Sequence, residues 1–241
     1  MCGRFVALSD PDGLVRFFVV DERRTDDLPP NYNVAPTDPV HAVAPHDNKR
    51  YLVTFRWGLV PHWSDSPATA AKMINARAET AASKPAYREA LRRRRCLIPA
   101  AGFYEWQVAP DGTKIPHFIH RPDGAPLAFA GLWETWRDRT QPDAEPLRTC
   151  SILTRPAVTG LQPLHDRMPV TLPTHAWDAW LAPDTSEPEV QALLRSTPPE
   201  LGFHAVSADV NSVRNNGPHL TAPVDHPTSG AAAQAAGTPA R

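Results

Sequence analysis

Proline is the residue that most constrains this chain. It occupies 28 of 241 positions, about twice the usual frequency, and is scattered rather than gathered in one segment. Each proline removes a backbone donor and fixes φ, so long helices and uninterrupted central strands are disfavoured. Between the prolines lie short runs rich in β-branched and aromatic residues, bounded by Pro, Gly or Asp. These predict strands at 5–8, 40–44, 51–57, 96–98, 103–108, 117–120, 127–132, 149–153, 170–172 and 203–206. Helical patterns are fewer: 14–19 after a cap at Ser9, 84–94, 174–181 with Thr174 as cap, and 187–195 with Ser186 as cap. Many close-spaced strands and few helices imply an α+β fold. It is expected to be a single domain on a curled, mostly antiparallel, barrel-like sheet with a few flanking helices. The domain is expected over 1–222. Residues 223–241 hold no aromatic residue and little that can be buried, so they read as a disordered tail.

Composition narrows the function classes. Lys and Arg number 25 against 26 Asp and Glu, a net charge of −1, which excludes a wholly basic nucleic-acid binder but not a local basic groove. A hydrophobic fraction of 41% with seven Trp suffices for a sizeable core. No run approaches 18 apolar residues, so no membrane span is expected, and the first residues lack a signal peptide's pattern. A cytoplasmic protein is the expectation. Cys2, Cys96 and Cys150 are far apart, with no Cys-x-x-Cys pair, which argues against a disulfide scaffold and a structural zinc site. The nucleotide-binding glycine loops and the His-Glu-x-x-His and Gly-x-Ser-x-Gly motifs are missing. No cofactor and no catalytic metal are expected. No heptad pattern is seen, so a monomer is the default.

Position 2 carries the most distinctive chemistry. Removal of the initiator Met, expected before a small residue, leaves Cys2 with a free α-amine and a thiol. The amine has a pKa of about 7.7–8.0, so part of it is neutral and nucleophilic at pH 7, and the thiol lies near 8.5. Such a 1,2-aminothiol condenses with an aldehyde to an imine, which the thiol closes to a five-membered thiazolidine. The thiol is equally a nucleophile for an acyl carbon. A small apolar residue opening the first strand is the plainer and, for an arbitrary chain, commoner role of a cysteine here.

Three further segments place polar groups beside apolar ones. In 73–80, an extended backbone sets Asn75, Arg77 and Glu79 on one face, as a site or as a solvated edge. Glu105 lies inside the aromatic run Phe103-Tyr104-Glu105-Trp106. Held against rings, its pKa would rise and suit it to acid/base work; pointed at solvent, it would do nothing. His165, in Leu164-His165-Asp166-Arg167-Met168-Pro169, is the best proton shuttle among ten histidines, although lone histidines are more often structural. Arg167, two residues on, suits a phosphate. Residues 72–95 contain eight basic side chains against Glu79 and Glu89. With Arg4, Trp57, Trp63 and Trp106 they suggest a groove that holds phosphates and stacks bases, although a solvated helix face explains Arg92–Arg95 as well.

Together these segments resemble the SOS response-associated peptidase (SRAP) family of abasic-site processing proteins. The matching pieces are Met1-Cys2-Gly3-Arg4-Phe5, Asn33-Val34-Ala35-Pro36, Trp57-Gly58-Leu59-Val60-Pro61-His62-Trp63 and Ile74-Asn75-Ala76-Arg77-Ala78-Glu79-Thr80. The series continues with Arg95 to Trp106, Phe129-Ala130-Gly131-Leu132-Trp133, Ser151-Ile152-Leu153-Thr154 and His165-Asp166-Arg167-Met168-Pro169. They cover residues 1 to about 220 in the family's order. The resemblance implies a positively charged cleft for single-stranded DNA containing abasic sites, and association with the nucleoid when DNA is bound. It implies that mature Cys2 forms the imine and then the thiazolidine, that Asn75 positions the amine or opened sugar, and that Glu105 assists ring opening. His165 would be the acid/base for imine formation and reversal, with possible strand incision (lyase) and self-processing peptidase activity. Arg4, Arg77 and Arg167 would hold flanking phosphates, and Trp106 and Trp63 would offer aromatic surface. An N-terminal-nucleophile cysteine peptidase and a non-catalytic reader of modified bases are the competing functions.

Overall fold

Strand pairing bends the sheet back on itself. A computed structural model describes residues 2–7, 10–25 and 27–224. Its strands are β1 (Phe5–Ala7), β2 (Glu22–Arg24), β3 (Asn31–Val34), β4 (Pro39–His46), β5 (Lys49–Trp57), β6 (Asn75–Arg77) and β7 (Arg95–Ala100). They continue with β8 (Gly102–Val108), β9 (Lys114–His120), β10 (Leu127–Trp136), β11 (Leu147–Pro156), β12 (Arg167–Pro169) and β13 (Gly202–Ala205). The larger sheet runs β12-β11-β10-β7-β4-β5-β2, with β6 added on β11. Because β11 also pairs in parallel with β5, through Thr149↔Arg56 and Cys150↔Trp57, strands β4, β5, β7, β10 and β11 form a closed ring. The smaller sheet runs β13-β9-β8-β1-β3. The fold is α+β with curled, mostly antiparallel sheets, as the run spacing implies; the parallel pairs are β2–β5, β5–β11 and β6–β11.

Alternation along the strands sorts side chains into two layers. Val40, Ala42, Val53, Phe55, Trp57, Ile98, Phe129 and Ile152 face an inner core that also receives Phe5, Phe103 and Ile119 from the smaller sheet. Phe5 is its centre, edge-on to Trp57 at 5.0 Å and to Phe129 at 5.8 Å. The outward residues Val43, Leu52, Leu97, Ala130 and Leu153 are covered by helices. These are α1 (Pro11–Phe17), α2 (Ala78–Ala81), α3 (Pro85–Arg93), α4 (Trp177–Leu181) and α5 (Glu187–Leu194).

Proline places the boundaries. Helices α1, α3 and α5 each carry it in their first turn, where the lost N–H had no partner to lose. Pro99 lies within β7, but β4 meets β7 only at Val43↔Leu97, so that edge asks nothing of Pro99. The expected strand at 170–172, caught between Pro169 and Pro173, is reduced to one bridge, Phe129↔Thr171. The expected helix at 174–181 opens as a 3₁₀ turn, and Thr174 is inside it rather than capping it. Ser186 stands at the N-cap of α5 without a capping hydrogen bond, while Ser9 lies outside the described residues. The three-residue strands β2, β6 and β12 and the four-residue β3 have no counterpart among the predicted runs. Pro223 bridges Val206; residues 225–241 of the expected tail lie outside the described residues. Among the described residues no helix is long and apolar enough to cross a membrane.

The Arg92–Arg95 run is divided by burial. Arg92 and Arg93 are exposed, whereas Arg95 is only 2% exposed. Its Nε donates to Trp180 O at 2.7 Å and its Nη1 to Leu91 O and Arg92 O at 2.7 and 2.8 Å; Nη2 donates to Ala182 O. One guanidinium thus satisfies the orphan carbonyls at the ends of both α3 and α4. Arg95→Met is expected to cost about 3–5 kcal/mol in urea unfolding, by stranding buried acceptors. Arg92→Ala should stay within about 0.5 kcal/mol. Equal stability of Arg95→Met and wild type would refute the capping role.

Candidate functional site

The N-terminus reaches the inner core because β1 is threaded between β8 and β3, with Phe5 opposite both Phe103 and Val34. Cys2, just before β1, is fully buried. Its carbonyl accepts a 2.7 Å hydrogen bond from Asn75 Nδ2, and its thiol has Arg4 O at 3.9 Å. Asn75 is held by β6, which pairs in parallel with β11 at Ile152. Its Oδ1 is buried with no hydrogen-bond partner among the described residues, so a buried acceptor beside Cys2 is left for a donor.

Glu105 shares the inward face of β8 with Phe103 and is 4% exposed. Burial raises its pKa to about 7, with repulsion from Asp166 adding to the effect. His165 follows a turn anchored by buried Leu161 and Leu164. Its Nε2 lies 4.0 Å from Glu105 Oε2. Its Nδ1 accepts the Arg167 N–H at 2.9 Å and lies 2.8 Å from Asp166 Oδ1. The Arg167 N–H calls for a lone pair on Nδ1 and the Asp166 carboxylate for a proton there, while Nε2 faces Glu105. Partial burial lowers the His165 pKa. Burial raises that of the Cys2 thiol well above the usual range, and the Glu105 charge adds to this. At neutral pH the pocket therefore holds a protonated thiol, a neutral imidazole and a carboxyl near its midpoint.

Arg77 is exposed on β6 and forms no ion pair among the described residues. Arg167 makes a two-pronged pair with Glu79, at 2.6 and 2.9 Å, and also donates to Thr154 O at 2.7 Å. Glu79 itself lies on α2, so it reaches this point from a helix and not from a shared strand face with Asn75 and Arg77. Arg4 donates from Nη1 to Asn33 Oδ1 at 2.7 Å and Val210 O at 2.9 Å. Trp106, on the other face of β8 from Glu105, bonds Asn211 Oδ1 at 2.7 Å. Trp63 is 44% exposed, edge-on to His62.

The expected single basic and aromatic groove is not formed as such. Trp57 is fully buried, with Nε1 donating to Ile74 O, and offers no stacking face. Arg88, Arg92 and Arg93 line a separate cleft of about 660 Å³ between α3 and α5, on the helix-covered side of the sheet. Two residues that the sequence pattern alone does not mark stand out. Asn33 accepts from Arg4 and donates to Ser212 O and Asn215 O. His117 stands directly opposite Glu105 across β8–β9; pairing of the two strands was the missing signal. Among the described residues no group of three or more His, Cys, Asp or Glu could hold a metal ion.

The sequence model of the family described as SOS response associated peptidase (SRAP) matches residues 1–213. The chain belongs to the SRAP family. It is 39% identical over 223 residues to the abasic site processing protein YoqW of Bacillus subtilis, covering 91% of this chain and 98% of that one. It is 32% identical to the abasic site processing protein YedK of Escherichia coli (93% and 100% covered). It is 34% identical to the abasic site processing protein HMCES of Gallus gallus (81% and 67% covered). A solved structure of a protein from Bacteroides thetaiotaomicron matches with a TM-score of 0.78 at 26% identity, over 92% of this chain and 100% of that one. In this SRAP chain the raised carboxyl makes a testable mark on stability. Its folded pKa of about 7 lies above the ordinary value of 4.5, so the folded state binds the extra proton and stability falls as pH rises from 4.5 through 7. Glu105→Gln is expected to gain on the order of 3 kcal/mol over wild type at pH 8 and almost nothing at pH 4. Urea unfolding at the two pH values checks this, and an equal effect at both would contradict it.

Proposed function

We propose that this protein captures ring-opened abasic sites in single-stranded DNA through the N-terminal aminothiol of mature Cys2. The observation that carries the reading is the convergence of Cys2, Asn75, Glu105 and His165 on one buried point, in a chain of the SRAP family. The names of its relatives as abasic site processing proteins support the same substrate class.

The steps balance without a cofactor. The Cys2 amine adds to the C1′ aldehyde and one water leaves, giving an imine. The thiol then adds across the C=N bond, its proton passing to nitrogen, and a thiazolidine results with net loss of that single water. Glu105, near its midpoint at pH 7, donates to the ring oxygen as the sugar opens and regains a proton from the hemiacetal hydroxyl. Once the amine has added, it carries a proton from nitrogen to the departing hydroxyl, which leaves as water. Neutral His165, with its Nε2 toward Glu105, serves the same proton traffic and the reverse reaction. Asn75 holds the Cys2 carbonyl and offers Oδ1 to the amine. Arg77 and Arg167 border the site for phosphates, and Arg4, Trp106 and Trp63 would contact the strand further out.

An uncyclised imine is also the intermediate of β-elimination, so thiol closure diverts a strand-breaking species into a stable crosslink. The peptidase alternative, including self-processing, asks for a thiolate beside a base. Burial that raises the thiol pKa favours attack by the amine first. The test is denaturing electrophoresis with an oligonucleotide bearing one abasic site, with intact mass measurement of the product. A heat-stable band at protein plus DNA minus water is expected, absent in Cys2→Ser. Glu105→Gln and His165→Gln should slow its formation by about a hundredfold or more. Cys2→Ala, which keeps the amine, should retain strand incision without the stable band. Wild type with Met1 removed that gives no such band would sink the proposal.

A further inference from the structure

Two histidines unused by this chemistry meet on the far face of the smaller sheet. His120 ends β9 and His204 lies in β13, and the ladder sets Gly202 opposite His120 and His204 opposite Phe118. The imidazoles are therefore diagonal neighbours on one face, the face turned away from Glu105 and His117. Their ring centroids are 5.2 Å apart with an interplanar angle of 63°, and both residues are half-buried. Buried Phe118 stacks on His120 at 5.3 Å and forms the floor beneath the pair.

Each ring has one nitrogen engaged. His120 Nδ1 lies 2.9 Å from Arg121 O, and His204 Nε2 lies 2.8 Å from Thr221 O. A carbonyl only accepts, so those nitrogens carry the ring protons. The lone pairs are left on His120 Nε2 and His204 Nδ1. This is the arrangement of metal-bound imidazoles, in which one N–H is tied to a carbonyl and the other nitrogen serves as ligand. The spacing agrees: metal–nitrogen bonds of about 2.0–2.1 Å at a tetrahedral angle place two imidazole centroids about 5 Å apart. The sequence hides the pair, since 83 intervening residues separate the two and only strand pairing unites them.

We propose that His120 and His204 form a two-imidazole site for a borderline divalent transition-metal ion such as zinc, nickel or copper, with water completing its shell. Imidazole nitrogen selects these ions over magnesium and calcium, which take oxygen. With two protein ligands the ion exchanges freely, and its effect is to tie β13 to β9. The chain leaving β13 supplies Val210 O to Arg4 and Asn211 Oδ1 to Trp106, so the ion would firm the segment that buttresses those two residues.

The test titrates nickel chloride into the full chain carrying Cys2→Ser, which removes the N-terminal aminothiol as a competing chelator. Calorimetry should give one equivalent bound, and the melting temperature should rise by about 3–6 °C at tenfold metal over Kd. His120→Gln and His204→Gln should each weaken binding at least tenfold, while His46→Gln, at an exposed histidine elsewhere, leaves it unchanged. Copper-induced broadening of the His120 and His204 ring resonances gives the same answer without either of these substitutions. Absence of saturable binding, equal binding in both Gln variants, or broadening confined to other histidines would overturn the assignment.

Discussion

The structure depends on drawing the start of the chain into its own core. β1 is only three residues long, yet it pairs on both sides, and Phe5 beneath it meets Trp57 and Phe129 in the inner layer. Chain ends usually lie at the surface, where their charge is solvated. Here residue 2 is fully buried, and the surrounding polar groups are organised around that fact. Asn75 fixes the Cys2 carbonyl, β8 delivers Glu105 to the same side, and the turn before β12 brings His165 to Glu105. Four segments far apart in sequence supply one point, each positioned by strand pairing to within the reach of a hydrogen bond or an ion pair.

Burial then sets the chemistry. The same desolvation that raises the thiol pKa raises that of the Glu105 carboxyl and lowers that of the His165 imidazole, so all three are pressed toward neutral forms. Such a site has little use for preformed ions and suits a reaction in which protons move between neutral partners as bonds form. The cost is a buried carboxyl that opposes folding when it ionises, and the interlocked ring of strands must carry that cost.

Much of this was legible in the sequence because it rests on local rules. Proline density and short aromatic runs give the α+β class, and nine of the ten expected strands survive at nearly their expected limits. Alternation along 103–106 puts Glu105 on the side of Phe103, but only the pairing of β8 with β1 and β9 turns that side inward. What was not legible depends on pairing between distant segments. β6 has three residues and no periodic signature of its own; it is a strand because β11 lies beside it. Arg95 reads as one more member of a basic run, yet its neighbours in space are the carbonyls of two helix ends. The expected groove mixed residues that the fold separates: Trp57 went into the core and Arg88, Arg92 and Arg93 to the helical side. Glu79 was expected on a strand face and instead turns into a helix, from which it meets Arg167.

That last contact changes what Arg167 is. With both prongs of its guanidinium on Glu79, and a carbonyl besides, the side chain already rests on an internal imitation of a phosphate. On the proposed function, an incoming phosphate would have to displace one anion to gain another, so much of the attraction would cancel and few counterions would be released by this contact. What survives the exchange is geometry: the guanidinium is held in one pose, ready for an anion only where the carboxylate can be levered aside. If the protein binds DNA as proposed, Arg167 would be a gate on register more than a source of grip, and Arg77, with no such ion pair among the described residues, would be left to supply the pull.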